Sequence, residues 1–469
     1  MDEPYWDSVR LDPDTFYFLY IGEIKAQGLN DFLVEPLQRL YGRPVDFISI
    51  VPDVLARYPR DNTIVVNPRA AEARRMSGMD HNIRIPGVYF ASEVSCCPSV
   101  IDLVDQLVDR QGHVYVSVFE SSPGLDLIDG ERVRLIGPDP DLARTFNNKL
   151  VQYEMACTLR LPVPPGGCCS SLEGATRNAQ ELIVRGYSVF LSQEYSAAGS
   201  HSIIATSVQE IEDRFSDPDC GYLITRYLEH EHDPTVLGIV AGERDVYIAS
   251  VADQNIQGTR FRGSTFPTSL PAGVVRDLKE MTRTVGSYLG EQGYRGAFGC
   301  DYIVDPEGDI YFIEVNARKQ GTTMETALTM KHRIPGHQSF LELEFEAVTE
   351  GRFSRPLAEM DSSEGGICWG TYNVKVEKDI VVTSDLPPMV TEQELFRRVA
   401  EGSSGAGSVI LDHVGKSVRQ APGGFLGRII AVSSVLDDIE PALEEGRRLL
   451  VGTARENDFM DIPLLATEI

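Results

Sequence analysis

Gly296–Arg318 reads GAFGCDYIVDPEGDIYFIEVNAR, in which two alternating runs, Phe298–Val304 and Ile310–Asn316, flank Asp305-Pro306-Glu307-Gly308-Asp309. Alternating runs on either side of such a turn predict a β-hairpin. A four-residue loop over Pro306–Asp309, one of the common lengths, sets Asp301 directly opposite Glu314. Polarity tests that register, because a one-residue slip moves a strand's side chains to the other face. In this register Cys300, Tyr302 and Val304 meet Val315, Ile313 and Tyr311 on an almost wholly apolar face. The opposite face collects Asp301, Glu314 and Asn316, with Ile303 and Phe312 beyond them. A slip by one would mix carboxylates into the core.

Three oxygen-bearing side chains on one face suit a hard cation. Mg²⁺ takes oxygen ligands at about 2.0–2.1 Å and is usually shared between a few carboxylates and substrate phosphates. The same spacing also describes a plain solvated hairpin face, since polar faces are the norm in antiparallel pairs. Arg318 lies on the same side if the strand continues, where it could grip a phosphate or carboxylate with two parallel hydrogen bonds.

The surrounding composition narrows the choice of chemistry. The chain has 469 residues, with 43 Lys+Arg against 70 Asp+Glu and a formal charge of −27. Phosphate-driven binding to nucleic acid needs the opposite balance, and so does an anionic membrane surface. No apolar run approaches the roughly 18–20 residues of a membrane span. Met1-Asp2-Glu3-Pro4 lacks the basic-then-apolar pattern of a leader, so a cytoplasmic setting is expected. The eight cysteines include two vicinal pairs, Cys96-Cys97 and Cys168-Cys169, but no C-x-x-C, which reads as reduced thiols. Lysine is scarce: of the eight present, only Lys149 falls between Lys25 and Lys279.

Three units are expected along the chain. Residues 1–140 alternate strand-like runs (Thr15–Ile21, Val45–Val51, Thr63–Asn67, His113–Glu120) with helical spacing at Asn30–Leu40 and Ser99–Arg110, which predicts an α/β layer with a parallel sheet. Residues 141–350 form the unit around the hairpin. Residues 351–469 carry strands at Gly370–Val376, Val409–Val414 and Arg428–Val435 and a helix at Glu440–Val451. Other motifs fall away on inspection. Gly415-Lys416-Ser417 ends like a phosphate-binding P-loop, but the required first glycine falls at Ile410. His230-Glu231-His232 is not H-E-x-x-H, and Gly402–Gly407 reads as a flexible loop.

Asp301 followed by Glu314-Val315-Asn316-Ala317-Arg318 resembles the metal-binding signature of the ATP-grasp ligases, and the likeness extends upstream. Asn147-Asn148-Lys149-Leu150, Leu161-Pro162-Val163-Pro164-Pro165, Leu191–Ile204 (LSQEYSAAGSHSII) and Ile224-Thr225-Arg226-Tyr227-Leu228-Glu229 follow in that family's order over some 200 residues. The flanking units resemble, more loosely, the pheganomycin-type peptide ligases. The resemblance implies an α/β fold, with an α+β grasp core between an N-terminal α/β (pre-ATP-grasp) domain and a small C-terminal α/β domain. It implies ATP and Mg²⁺, with Mn²⁺ as an alternative, and Asp301, Glu314 and Asn316 as metal ligands. Lys149 would be a phosphate lysine, with Ser196, Gly199 and Ser200 in the phosphate loop. Arg226, Tyr227 and Leu228 would border adenine, and Glu231 or Asp233 the ribose.

Two departures from the family stand out. A second lysine is usual near Ser192–Glu194; none exists there, and Gln193 is the nearest donor. Some amide ligases also carry an arginine where this chain has Gly299; Arg295 or Arg318 would cover that charge. Arg262, beside Arg260, is a candidate substrate carboxylate clamp. The implied activity joins a carboxylic acid, through an acyl phosphate, to the amine of an amino acid or peptide. Both partners would be small molecules, with no nucleic acid or membrane, and a homodimer is an open expectation. Two alternatives remain: a nucleotide-binding regulator without catalysis, and a kinase that stops at phosphoryl transfer.

Overall fold

The computed structural model describes residues 3–196, 201–258, 260–354, 357–360, 366–403 and 405–456. The N-terminal runs form a six-stranded sheet in the order Trp6–Ser8, Thr63–Val65, Val45–Val51, Phe16–Ile21, Val114–Val118, Val133–Ile136, parallel except for the first strand. Phe16–Ile21 is buried along its whole length. Phe16, Phe18 and Tyr20 join the core that contains helix Asp31–Tyr41, whereas Tyr17, Leu19 and Ile21 join that of helix Pro98–Gln111. A strand covered on both faces has no polar side, which explains its unbroken apolar run. Trp6–Ser8, Val133–Ile136 and helices Pro68–Ser77 and Gly87–Cys96 were not apparent in the sequence. The two strands are short, and Pro68–Ser77 buries only Ala70, so each carries little periodic signal.

Two further sheets enclose the site. One is antiparallel and four-stranded, ordered Ser202–Ala205, Val189–Gln193, Tyr222–Arg226, Gly166–Cys169, and its back face shares a core with helices Leu172–Val184 and Val208–Arg214. The other has eight antiparallel strands, ordered Ile310–Asn316, Gly296–Val304, Pro234–Val240, Val246–Gln257, Arg260–Phe266, Cys368–Lys375, Phe425–Ser433, Gly407–Leu411. The strands of the C-terminal stretch therefore continue the sheet that begins with the hairpin. A small fourth sheet pairs Val418–Gln420 with Asp80–Asn82, tying the first hundred residues to the last hundred. No single described helix is long and apolar enough to cross a membrane.

The hairpin corrects one detail of the sequence reading. Asp301 does pair with Glu314, and Cys300 with Val315, but the register shifts between Asp301 and Tyr302, so Tyr302 pairs with Phe312. The turn is tighter than expected: Asp305 N–H donates to Asp309 C=O, and Gly308 takes φ +88°. That is the three-residue loop with a left-handed glycine, a shape that favours glycine at that position. Ile313 is the extra residue that restores the expected pairing at Glu314. The core partner of Tyr302 is accordingly Phe312, edge-on with ring centroids 5.9 Å apart, and Ile313 faces the cavity.

Candidate active site

Three elements bring the cavity's chemistry together. Asn148 caps helix Lys149–Thr158, its side chain accepting from the N–H groups of Leu150 and Val151, which fixes Lys149 in the first turn. Gln152, one turn along, locks that helix to the hairpin. Its Nε2 donates to Val315 C=O at 2.7 Å, and its Oε1 accepts from Val315 N–H at 3.2 Å. Asn147 Oδ1 accepts from Ala317 N–H at 3.0 Å. Lys149 thereby meets Glu314 in a direct ion pair, with side chains 11% and 25% exposed.

Asp301 sits deeper. Thr235 Oγ1 donates to it at 2.6 Å, Asn316 Nδ2 at 2.9 Å and Gln320 Nε2 at 3.3 Å. Burial, with the Glu314 charge opposite, pushes its pKa up to about 6. For Glu314 burial acts in the same direction, but contact with Lys149, helped by Arg318, outweighs it and holds the group below its ordinary value. Two buried like charges thus stand side by side, offset by one lysine.

These groups line a cavity of about 300 Å³ between the two antiparallel sheets. Phe190 pairs across the four-stranded sheet with Ile204 on one side and Thr225 on the other, and the three give a largely apolar wall. Arg226, Tyr227 and Leu228 border the cavity. The N–H groups of Arg226 and Tyr227 are used internally, on Pro165 C=O at 2.7 Å and Ser188 C=O at 2.9 Å. The Arg226 guanidinium lies over the Tyr187 ring at 4.1 Å. Asp233 lines the cavity and pairs with His230 at 3.0 Å, and that hydrogen bond raises the histidine's pKa against the pull of burial. Ser196 lines it too, its Oγ 2.9 Å from Ser192 Oγ. Gly199 and Ser200 lie outside the described residues.

Four expected residues stand elsewhere. Gln193 alternates with Phe190 and Ser192 and so faces away, beside Tyr222; of these three only Phe190 borders the cavity. Glu231 is exposed and does not border the cavity. Arg295 donates to Gly290 C=O at 3.0 Å and Tyr294 C=O at 2.6 Å, closing the end of helix Ala272–Glu291 rather than reaching the carboxylates. Arg262 donates to Gln257 Oε1 at 3.1 Å, outside the cavity wall. Arg318 does border it, 3.4 Å from Glu120.

Thr235 and Gln320 escaped the sequence reading. Thr235 belongs to the strand beside the hairpin, a pairing that no local pattern shows. Gln320 had a trace in Gly299: a Cβ there would lie 2.0 Å from Gln320 Cδ, so the glycine exists to admit the amide. Among the described residues no three His, Cys, Asp or Glu side chains converge on a metal site; the donors here are two carboxylates and a carboxamide. That all-oxygen set fits Mg²⁺ or Mn²⁺, and a divalent cation would relieve the crowding that raises Asp301.

Residues 146–322 match the family model of the ATP-grasp domain. The [butirosin acyl-carrier protein]–L-glutamate ligase of Niallia circulans is 24% identical over 249 residues, 50% of this chain and 59% of that protein. The L-propargylglycine–L-glutamate ligase of Streptantibioticus cattleyicolor is 28% identical over 124 residues, 26% of this chain and 25% of its own length. Each match therefore spans less than two thirds of the relative. Biotin carboxylase of Campylobacter jejuni, solved with β-γ-ATP, shares the fold with a TM-score of 0.62 at 16% identity, covering 93% of this chain and 91% of that one. Residues 146–322 thus match the ATP-grasp domain, and the chain shares the fold of biotin carboxylase.

Proposed function

We propose that the chain is an ADP-forming ligase that joins a carboxylic acid to the amine of an amino acid or peptide, using ATP and Mg²⁺. One observation carries the reading: the opposed Asp301 and Glu314 carboxylates, with Lys149 on the second, at the wall of a cavity of about 300 Å³. The two similar ligases named above, each attaching glutamate, support acid–amine joining.

In this reading a substrate carboxylate oxygen attacks the γ-phosphorus and ADP leaves. The amine nitrogen then attacks the acyl carbon, loses a proton, and expels phosphate. Asp301, Glu314 and Asn316 would hold the metal, which when bound supplies charge neutralisation across the phosphates. Lys149 neutralises phosphate charge from the helix side. The wall of Phe190, Ile204 and Leu228 takes adenine, and Asp233 takes the ribose. Arg318 steadies the transferring phosphoryl group and then the acyl phosphate, where a fixed cation matters most. Thr235 and Gln320 orient Asp301. Ser196 contributes a hydroxyl to the phosphates, and the apolar wall limits the access of water to the acyl phosphate. The eight free thiols support a reducing, cytoplasmic setting.

Incubation with ATP, Mg²⁺ and pools of acids and amines tests the proposal. Amine-dependent ADP release supports it. A phosphorylated acid with no amide would make the protein a kinase, and nucleotide binding without turnover in every pool would make it a regulator.

A further inference from the structure

Beside the Arg318 edge of the cavity, cations from separate parts of the chain converge although the protein as a whole carries −27. Lys25 and Lys375 each hold Nζ 5.4 Å from the centroid of the Phe425 ring, and Lys25 stands 5.3 Å from that of Phe119. Arg84 shares a small cleft with Phe425. Burial, followed by the charges of Arg84, Lys25, Arg262 and Arg260, pulls the Lys375 pKa down, and Arg260 reaches Glu377, two residues beyond Lys375. Acids partly compensate: Glu23 pairs with Lys25 and lies 3.9 Å from Arg84, Glu377 lies 3.4 Å from Arg260, and the charge of Lys25 also acts on the buried Asp53 and Asp412. Lys375 has no carboxylate partner among the described residues. Crowded like charges oppose folding, and an added anion relieves them.

The cluster adjoins the reaction cavity along the strand Arg260–Phe266. Phe261, between Arg260 and Arg262 in sequence, borders the cavity, as do Ser264 and Gly321. Along the same wall, Ser264 Oγ, Gln320 Oε1 and Thr322 Oγ1 are buried without a partner, and the three residues are 1%, 6% and 3% exposed. Buried polar atoms are nearly always bonded, so three orphans on one cavity wall mark a path for a polar ligand.

We propose that Lys25, Arg84, Arg262 and Lys375 form a subsite for a second anionic group, carboxylate or phosphoryl, on a substrate whose reacting end lies by Asp301 and Glu314. The proposal rests on the ligase reading above and adds a substrate class to it: small molecules with a negative charge remote from the bond being made. Phe119 and Phe425 hold the lysine stems apart, and the orphaned hydroxyls and amide bond the polar middle of the molecule.

Thermal unfolding of the full chain with glutarate, inorganic phosphate or butyrate, at equal ionic strength, tests this. Glutarate or phosphate should raise Tm and butyrate should not; which dianion works best tells carboxylate from phosphoryl. In Lys375→Met the apparent affinity should fall roughly ten- to a hundredfold, the loss of one charge-assisted contact. Lys375→Arg should restore it, a rescue that a merely structural lysine would not require. Equal shifts with butyrate, no shift with either dianion, or equal affinity in Lys375→Met overturns the subsite. A fluorescent ADP analogue is titrated into the wild-type protein alongside. No nucleotide binding would contradict the ligase reading, whereas nucleotide binding without a dianion response contradicts only the subsite.

Discussion

Glu314→Gln removes one charge and keeps the shape, so its two consequences separate. Lys149 loses its ion-pair partner, and breaking a buried pair costs about 3–5 kcal/mol. Glu314 is 25% exposed, which places the loss at or below the lower end of that range. Against it, Asp301 loses a like charge. Its pKa stands at about 6 against an ordinary 3.8, which is roughly 3 kcal/mol of strain shared between burial and Glu314. The Asp301 carboxylate also remains to offset Lys149. The net destabilisation is therefore about 1–2 kcal/mol, read in urea from the fluorescence of the fully buried Trp369. Catalysis has no such compensation, and removing a metal ligand should lower amine-dependent ADP release roughly a thousandfold or more. Mg²⁺ at a hundred times its Kd should stabilise the wild type by about 2.7 kcal/mol and the variant hardly at all. Ordinary turnover in Glu314→Gln, or an unchanged response to Mg²⁺, would refute the assignment.

Four further outcomes follow from neighbouring contacts. Lys319 and Glu344 form a pair with side chains 3% and 0% exposed, so Lys319→Met should cost about 3–5 kcal/mol in urea and the double variant with Glu344→Gln much less. Gly299→Ala pushes on Gln320 and should lose about 1–3 kcal/mol together with turnover, while Gly299→Ala/Gln320→Ala recovers the stability alone. Arg295→Met should cost about 1 kcal/mol and leave turnover intact, since among the described residues its guanidinium bonds the carbonyls of Gly290 and Tyr294, at and just beyond the helix end. Glu392 is pushed up to about 8 by burial and then by Glu325. The folded state thus holds a proton that the unfolded state releases near 4.5, so stability falls as pH rises from there to about 8. Glu392→Gln should flatten the decline in Tm between pH 6 and 8, and an unchanged slope would contradict that origin.

Much of the site was legible because its parts obey short-range rules. Alternation across the hairpin put Asp301 opposite Glu314, and Asn148 before Lys149 is an ordinary helix cap. The turn length was misjudged, yet the pairing at the carboxylates survived because the bulge at Ile313 compensates. What the sequence hid depends on distant chain. Thr235 reaches Asp301 through a neighbouring strand, Gln152 grips Val315 from a helix, and Arg295 was claimed by the helix that precedes it. Gln193 does not fill the place of the missing second lysine, since alternation turns it away from the cavity while Phe190 faces in. Three of the strands from residue 368 onward, Cys368–Lys375, Gly407–Leu411 and Phe425–Ser433, were visible individually, but their continuation of the hairpin's own sheet was not, and the short strands Ile380–Val382, Val418–Gln420 and Ala454–Glu456 were missed.

The metal position decides the central claim. Crystals grown with ADP and Mn²⁺ should show an anomalous peak between the carboxylates of Asp301 and Glu314, within bonding distance of Asn316 and facing Lys149. A peak elsewhere, or bound ADP with no metal beside that pair, would contradict it.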